Sequence, residues 1–600
     1  MKHKTWMIAL ICLAVNLGWK NEAPSQETLE RVETHRERVA VSVTPAGMRH
    51  HVPGRWATMS VNGINNSDED SEELVVVHLG ADEHRQFARR FWIPAGARRQ
   101  TWLPVAVPKV DLNEQPRIDM TSIQLKESSE GESFQANVVG QAISNRSLLL
   151  SRPGGLTAMI LNPPDGNLQA RSSTFNFVYA IHAFRDSSRL ALDTSELVNY
   201  SAKFLPPNKQ ALDTLDHLVI VGDEFLRDST AATRIMQWLR DGGRLWIMID
   251  QMKPESLDQL LGDANCFAEL DRVELNEFNI DQINDNTGES IASNEWSSDS
   301  PVELVRGIAD ADQMLCRIEG WPAVFFKAVG NGEILFTTVN IGALIEDEGP
   351  VTSFRAATSN FFSPRSPVIR TADVMTSLVD HEIGYRIPRR GTIAAVLGLQ
   401  LLLVLGAGVW LWKQRRLDRL ALVIPVSAAA ATLFLVWMGR QNVGSVDPTF
   451  AVGQIVRVNA TGSEAWVDSM AAVYSDTSGS LELSASPQTT MSLDDKVTSR
   501  LLWTDDGKSQ WMHLAQPPGV VRHVSSDSQV RLSNPWTFKG QFTDRGFEGH
   551  LNGIKTSQSQ DALVVSSSSP SLALANENGT WVGTPANVLL TGQFASQSLL

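Results

Sequence analysis

Two uncharged apolar runs, Gly391–Trp412 and Leu420–Met438, separated only by Lys413-Gln-Arg-Arg-Leu-Asp-Arg419, restrict this chain more than any other feature. At a rise of about 1.5 Å per residue each reaches roughly 28–33 Å, enough to cross the hydrocarbon core of a bilayer. Core helices of soluble proteins rarely run so long without a polar face. The expectation is a transmembrane helix at 391–412, a cytoplasmic loop at 413–419 and a second transmembrane helix at 420–438, with the lipid bilayer as a partner. Gly406-Ala-Gly408 falls inside the first run, where small residues serve close helix packing.

Charge alone does not orient this hairpin. The loop holds Lys413, Arg415, Arg416 and Arg419, and the other side holds Arg386, Arg389, Arg390 and Arg440. The start of the chain breaks the tie. Met1-Lys-His-Lys-Thr before Trp6–Gly18 has the basic and apolar regions of a signal peptide or signal anchor, assigned to residues 1–20. The expected location is therefore a bacterial cytoplasmic membrane, with residues of roughly 20–390 and everything after Arg440 outside it.

A net charge of -15 opposes binding to phosphate backbones, and no basic stripe with interleaved aromatics is present, so nucleic acid is excluded as a partner. A protein partner in the envelope is expected instead. Cys12 lies in the signal, leaving Cys266 and Cys316 as a pair that an oxidising compartment would allow to bridge.

The soluble regions divide by rhythm. Residues 36–145 show period-two segments such as Ala57–Asn62, Leu74–Leu79, Gln86–Pro94 and Gln100–Val107, which predicts an Ig-like β-sandwich. The acidic loop Asp68-Glu-Asp70 with Glu72 and Glu73 lacks calcium-loop spacing and reads as a solvated turn. His50-His51 and His78…His84 lack metal-ligand spacing, since adjacent histidines on a strand point to opposite faces.

From about Ser147 strands and helices alternate. Leu148-Leu-Leu150 reads as a strand and Gly154–Leu161 as the opening of a helix. His217–Val221 and Arg244–Ile249 read as buried strands flanking the amphipathic helix Ser229–Arg240, with Ser229 as N-cap and Asp241-Gly242-Gly243 as its stop. A right-handed crossover makes the two strands parallel. A polar insertion at 265–320 breaks the rhythm. Ala323–Val329 and Glu333–Val339 around Gly330-Asn331-Gly332 then form a hairpin that ends the sheet antiparallel.

The run from Leu215-Asp-His-Leu-Val-Ile-Val through Met236-Gln-Trp-Leu-Arg-Asp-Gly-Gly-Arg-Leu-Trp-Ile, with Gly330-Asn-Gly-Glu-Ile-Leu-Phe later, resembles the class I glutamine amidotransferase-like fold. The resemblance covers residues 147–345 and is closer to a branch of uncharacterised bacterial membrane proteins that carry Ig-like domains and transmembrane helices. It implies a flavodoxin/amidotransferase-like α/β domain. The amidotransferase reaction needs a cysteine on a strand-to-helix elbow beside an oxyanion hole. Here the turns read Gly222-Asp-Glu-Phe225 and Asp250-Gln-Met-Lys-Pro254, without Cys or Ser at the elbow, so the activity is not carried over.

No Gly-x-Ser-x-Gly and no phosphate loop occurs. No catalytic, cofactor-binding or metal-binding residue is assigned. Asp223, Glu224 and Asp250 fall at the carboxyl ends of parallel strands, where open α/β sheets bind ligands, while Asp216 lies at an amino end; turn and capping chemistry is the plainer reading of all four. After a juxtamembrane segment at 346–390 and the hairpin, residues 446–600 read as a β-rich extracytoplasmic domain. Its hairpins are Arg500–His513, with an Asp506-Gly507 turn, and Leu572–Val582 around Asn578-Gly579. Trp503 and Trp511 read as a cross-strand pair; exposed and coplanar, they would bind sugar rings. The expected function is a non-enzymatic envelope scaffold. Its rivals are a hydrolase or transferase using the acidic rim, and a carbohydrate-binding module.

Overall fold

The computed structural model describes residues 39–48, 50–80, 84–125, 141–152, 154–161, 168–187, 197–201, 209–284, 287–346, 349–363, 365, 372–385, 390–416, 419–458, 462–486, 489–493, 499–543, 546–553, 562–564, 572–577 and 580–583. Among them the chain is mainly β, with seven helices: α1 Leu168–Ser187, α2 Ser229–Arg240, α3 Pro254–Leu261, α4 Thr352–Ser359, α5 Ala372–Ile383, α6 Arg390–Lys413 and α7 Leu420–Val443. The helices α6 and α7 contain the two apolar runs, each with a mean hydropathy of 2.2 over its most apolar stretch. Both are long and apolar enough to cross a membrane, and most of their large apolar side chains are exposed, among them Leu402, Trp412, Leu422 and Trp437, while Leu411 is buried. The signal-like start lies outside the described residues, as do Leu417 and Asp418 of the loop.

The first layer pair is a β-sandwich. A three-stranded sheet of Val39–Pro45, Trp56–Asn65 and Arg98–Ala106 faces an eight-stranded sheet. The larger sheet runs through His50–His51, Gln141–Leu150, Arg117–Leu125, Ser71–Leu79 and Arg85–Ile93. It then continues into Ser499–Trp503, Ser509–Gln516 and Gly479–Ala485. The junction is parallel, with Phe87 opposite Leu501 and Ala88 opposite Leu502. The sequence reading drew a separate β domain at 446–600; three of its strands instead complete the N-terminal sheet. Period-two patterning specifies which face of a strand is buried, not which strand lies beside it. Met491, Leu493, Trp503, Trp511, Leu514 and Val524 accordingly share one core with Val75, Val77, Phe87 and Phe91.

A nine-stranded sheet follows. Leu197–Ser201, Thr157–Leu161, His217–Val221, Arg244–Met248 and Gly332–Thr337 are parallel neighbours in that order. Antiparallel strands Trp321–Val329, Gln313–Ile318, Phe267–Ile283 and Ser290–Ala309 extend it. Two expectations change here. The run from Gly154 does not open a helix, because Thr157–Leu161 is buried at all five positions between two parallel neighbours. Leu148-Leu-Leu150 belongs to the sandwich sheet rather than to this one. The segment 265–320 supplies three of the nine strands, including the long hairpin Phe267–Ile283/Ser290–Ala309.

Alternation within the parallel strands fixes the layers. Leu218, Ile220, Leu245 and Ile247 face α2 and α3, whereas Val219, Val221, Trp246 and Met248 face α1 and α4. Burial on both faces explains why these strands read as continuous apolar runs. The helix α2 is capped by Asp228, whose side chain accepts from the Thr230 backbone N–H, and not by Ser229, its first helical residue. Cys266 packs on one side of the sheet and Cys316 on the other, so both thiols are buried and free.

A four-stranded sheet of Thr449–Val458, Glu464–Ser475, Val520–Arg531 and Thr489–Leu493 carries α5 on one face. It meets the base of α7, where the Tyr474 hydroxyl donates to the Val443 carbonyl at 2.6 Å. A five-stranded sheet after Thr537 has a small core of Phe547, Leu574 and Trp581 and includes the expected hairpin at 572–583, with Glu577 opposite Thr580.

Candidate functional site

The carboxyl edge of the parallel strands is formed by the turns after His217–Val221 and Arg244–Met248. The first turn uses Gly222 at φ +106, a left-handed conformation that glycine adopts without strain, and then presents Asp223 and Glu224. The Ser256 hydroxyl donates to Asp223 at 2.8 Å, and the Gln259 side-chain amide donates to the Leu226 carbonyl at 3.0 Å. Asp223 therefore docks α3 against the strand ends. Glu224 turns outward to Arg227, 3.3 Å away at the surface.

Asp250 is different. It is only 5% exposed, its Oδ2 accepts from the Gln251 side chain at 2.6 Å, and its Oδ1 has no partner among the described residues. Burial pushes its carboxyl up to about 7; nearby Glu303 adds to the rise, while the Gln251 hydrogen bond and the Arg272 charge oppose it. Arg272 is anchored just outside, donating to the Asp250 and Met252 carbonyls at 3.0 and 2.7 Å and pairing with Glu269 and Glu303. The hairpin strand Phe267–Ile283 is thus clamped to the turn that carries Asp250.

Beside this turn lies a groove of about 570 Å³, walled by Met252, Pro254 and Leu257 on one side and by Cys266, Phe267 and Ile308 on the other. Its size is that of a small-ligand site, and Lys253, Asp258, Glu269 and Asp310 supply its polar rim. Cys266 contributes no thiolate, because burial pushes its thiol up to about 11. Asp250 offers an acid that titrates near neutrality, with no Cys or Ser nucleophile at the elbow. Sequence reasoning placed Asp223, Glu224 and Asp250 at the strand ends but missed Arg272 and the groove, since both depend on the hairpin returning to the sheet.

The other residues singled out have structural settings. Asp216 sits fully buried at the amino end of its strand, 3.3 Å from Arg55 and accepting from the Gly154 N–H, and so joins the sandwich to the α/β layers. His217 donates to the Ser363 carbonyl at 2.9 Å, and burial drops its pKa to about 4. His51 is likewise lowered to about 4 by burial, while His50 meets Ser151 at 3.1 Å. Asp70 accepts from the Ala95 N–H, which makes the acidic loop a turn cap. Among the described residues no group of three or more His, Cys, Asp or Glu is placed to hold a metal. Trp503 and Trp511 are diagonal rather than directly paired, with Leu501 opposite Trp511, and both are buried in the sandwich core. They form no sugar platform.

No family model and no curated protein matches this chain. Among solved structures it is similar to a cytoplasmic protein from Salmonella typhimurium at 14% identity and a TM-score of 0.24, covering 42% of this chain and 97% of that one. A CARDB domain from Pyrococcus furiosus matches at 7% identity and a TM-score of 0.14, over 19% of this chain and 87% of that one. Bacteroides uniformis beta-glucuronidase 2 matches at 10% identity and a TM-score of 0.15, over 37% and 25% respectively. Likenesses this slight carry no inference about fold or function.

Proposed function

We propose that this is a membrane-anchored bacterial envelope protein whose head, outside the membrane, holds a protein partner rather than turning over a substrate. The observation that carries the reading is the parallel pairing of Arg85–Ile93 with Ser499–Trp503. Strands on the two sides of the helical hairpin share backbone hydrogen bonds, which supports reading the soluble parts before α6 and after α7 as one body on one side of the bilayer. Aromatic residues support the span. Trp410 and Trp412 lie exposed near the loop end and Phe434 and Trp437 near the other, and from Leu420 to Trp437 a helix rises about 26 Å, close to the hydrocarbon thickness. Within the head, we read the sandwich as Ig-like and the parallel layer as an amidotransferase-like domain whose elbow positions carry Asp223 and Asp250 in place of cysteine.

A specific observation favours a second reading. A buried carboxyl titrating near 7 beside a groove is what a general acid–base site uses, and the reaction would then be a hydrolysis or group transfer. Complementation of a deletion strain at matched protein level separates the two. A binding head tolerates Cys266→Ser and Asp250→Asn, and is lost with Trp238→Asp, which puts a carboxylate into the buried face of α2. Loss of function with folded Asp250→Asn protein would replace the scaffold by the enzyme.

A further inference from the structure

The four-stranded sheet beside α7 carries α5 on one face; on the other, Met491, Leu493 and Val524 join the sandwich core, and the corner at the start of Thr449–Val458 is left open. Ala451, Ile455, Met470, Ala472 and Tyr474 pack on α5. On the opposite face Phe450 is 75% exposed, Val452 50% and Val520 43%, and Phe450 pairs directly with Val473. Phe450 is more exposed than the tryptophans of α6 and α7 themselves. An aromatic ring in that state has apolar area left to bury, and its place in the chain says what would cover it.

Phe450 follows the end of α7 by seven residues, and the chain between is held short. Tyr474, hydrogen-bonded to the Val443 carbonyl, pairs with Thr449; its ring also lies 4.6 Å from that of Tyr385, which immediately precedes the approach to α6. Gly519, next to Val520, abuts the Val443 side chain and the Tyr385 hydroxyl, so this corner of the sheet is fixed at the point where both helices leave the apolar layer. The polar interfacial layer is roughly 5–8 Å deep on each side of the hydrocarbon, and α7 already uses about 5 Å of it between Arg440 and Val443.

Resting on the reading of α6 and α7 as membrane spans, we propose that Phe450, with Val452 and Val520, is seated in the interfacial layer of the same bilayer and fixes the head against its surface. Asp447 and Asp476 flank the patch in sequence and Arg522, opposite Val473, lies on the same face, so the charges offset one another and the contact is with the carbonyl and glycerol region rather than with anionic lipid.

The test is spin labelling of the full chain in phosphatidylcholine vesicles, on a background with Cys12, Cys266 and Cys316 replaced by Ala. Labels are placed singly by Phe450→Cys, Val452→Cys, Leu403→Cys in α6 and Ser480→Cys on a distant strand. Dissolved oxygen should reach the labels at 450 and 452 more readily than a water-soluble nickel chelate does, with the order reversed at 480, and with no change when anionic lipid is added. Equal chelate access at 450 and 480 would overturn the proposal, as would dipolar broadening at 450, which would put a second copy on this face. The label at 403 keeps the two readings apart: chelate access there sinks the membrane span itself, whereas protection at 403 with free access at 450 sinks only the anchor.

Discussion

Asp250 shows how burial alone changes what a carboxyl group does. Its ordinary carboxyl value of 3.8 rises to about 7 because the folded chain removes it from water. The folded state therefore binds its proton more tightly than the unfolded state, and the stability this confers, complete below about pH 4, is lost as the pH rises toward 7. Asp250→Asn should flatten that decline and stabilise the protein at pH 8 by up to a few kcal/mol, with little change at pH 4. Urea unfolding at the two pH values measures it, and an equal effect at both would show that the carboxyl is not buried as described. His217 and His51 act in the opposite direction, since both are lowered to about 4 and favour the fold only while neutral. The position of Asp250 was legible in the sequence, because it follows an apolar strand; its burial was not, because nothing local shows that the hairpin strand Phe267–Ile283 returns to that turn, where Arg272 donates to the Asp250 carbonyl.

At the scale of elements, the Trp-x-x-x-Gly-Gly signal has a steric origin. Gly242 takes φ +103 to end α2, and a Cβ on Gly243 would stand 2.5 Å from the Trp238 ring. The turn Gly330-Asn-Gly332 then docks on the same helix end, with the Asn331 N–H donating to the Arg240 carbonyl and no room for a Cβ at Gly332, which would lie 2.0 Å from the Leu239 carbonyl oxygen. Gly332→Ala should cost about 1–3 kcal/mol, and more than Gly243→Ala, because a side-chain ring can yield where a helix backbone cannot. Urea midpoints of the two variants check the ranking; a Gly332→Ala protein as stable as the parent would contradict the docking. These glycines, the strands His217–Val221 and Arg244–Met248, and the hairpin after Ala323 were readable because local sterics and apolar runs dictate them. Thr157–Leu161 was misread as helix because five buried residues carry no period. The cap moved from Ser229 to Asp228 because either side chain suits that role.

For the whole molecule, the sequence located the hairpin and the β character on both sides of it, but not that the two sides close one sheet. Partner choice between strands separated by several hundred residues leaves no local trace, and Arg89 meeting Asp505 at 3.1 Å, or Arg240 meeting Glu464 at 3.0 Å, is seen only in the fold. The same joint gives the account its central claim, that everything soluble before α6 and after α7 lies on one side of the membrane. Impermeant thiol labelling of intact cells tests it through three exposed positions in the cysteine-free chain: Glu114→Cys on the N-terminal side, Ser480→Cys on the C-terminal side and Gln414→Cys in the loop. The account predicts that 114 and 480 label together without lysis and that 414 labels only after the membrane is opened. Labelling that separates 114 from 480 would contradict it.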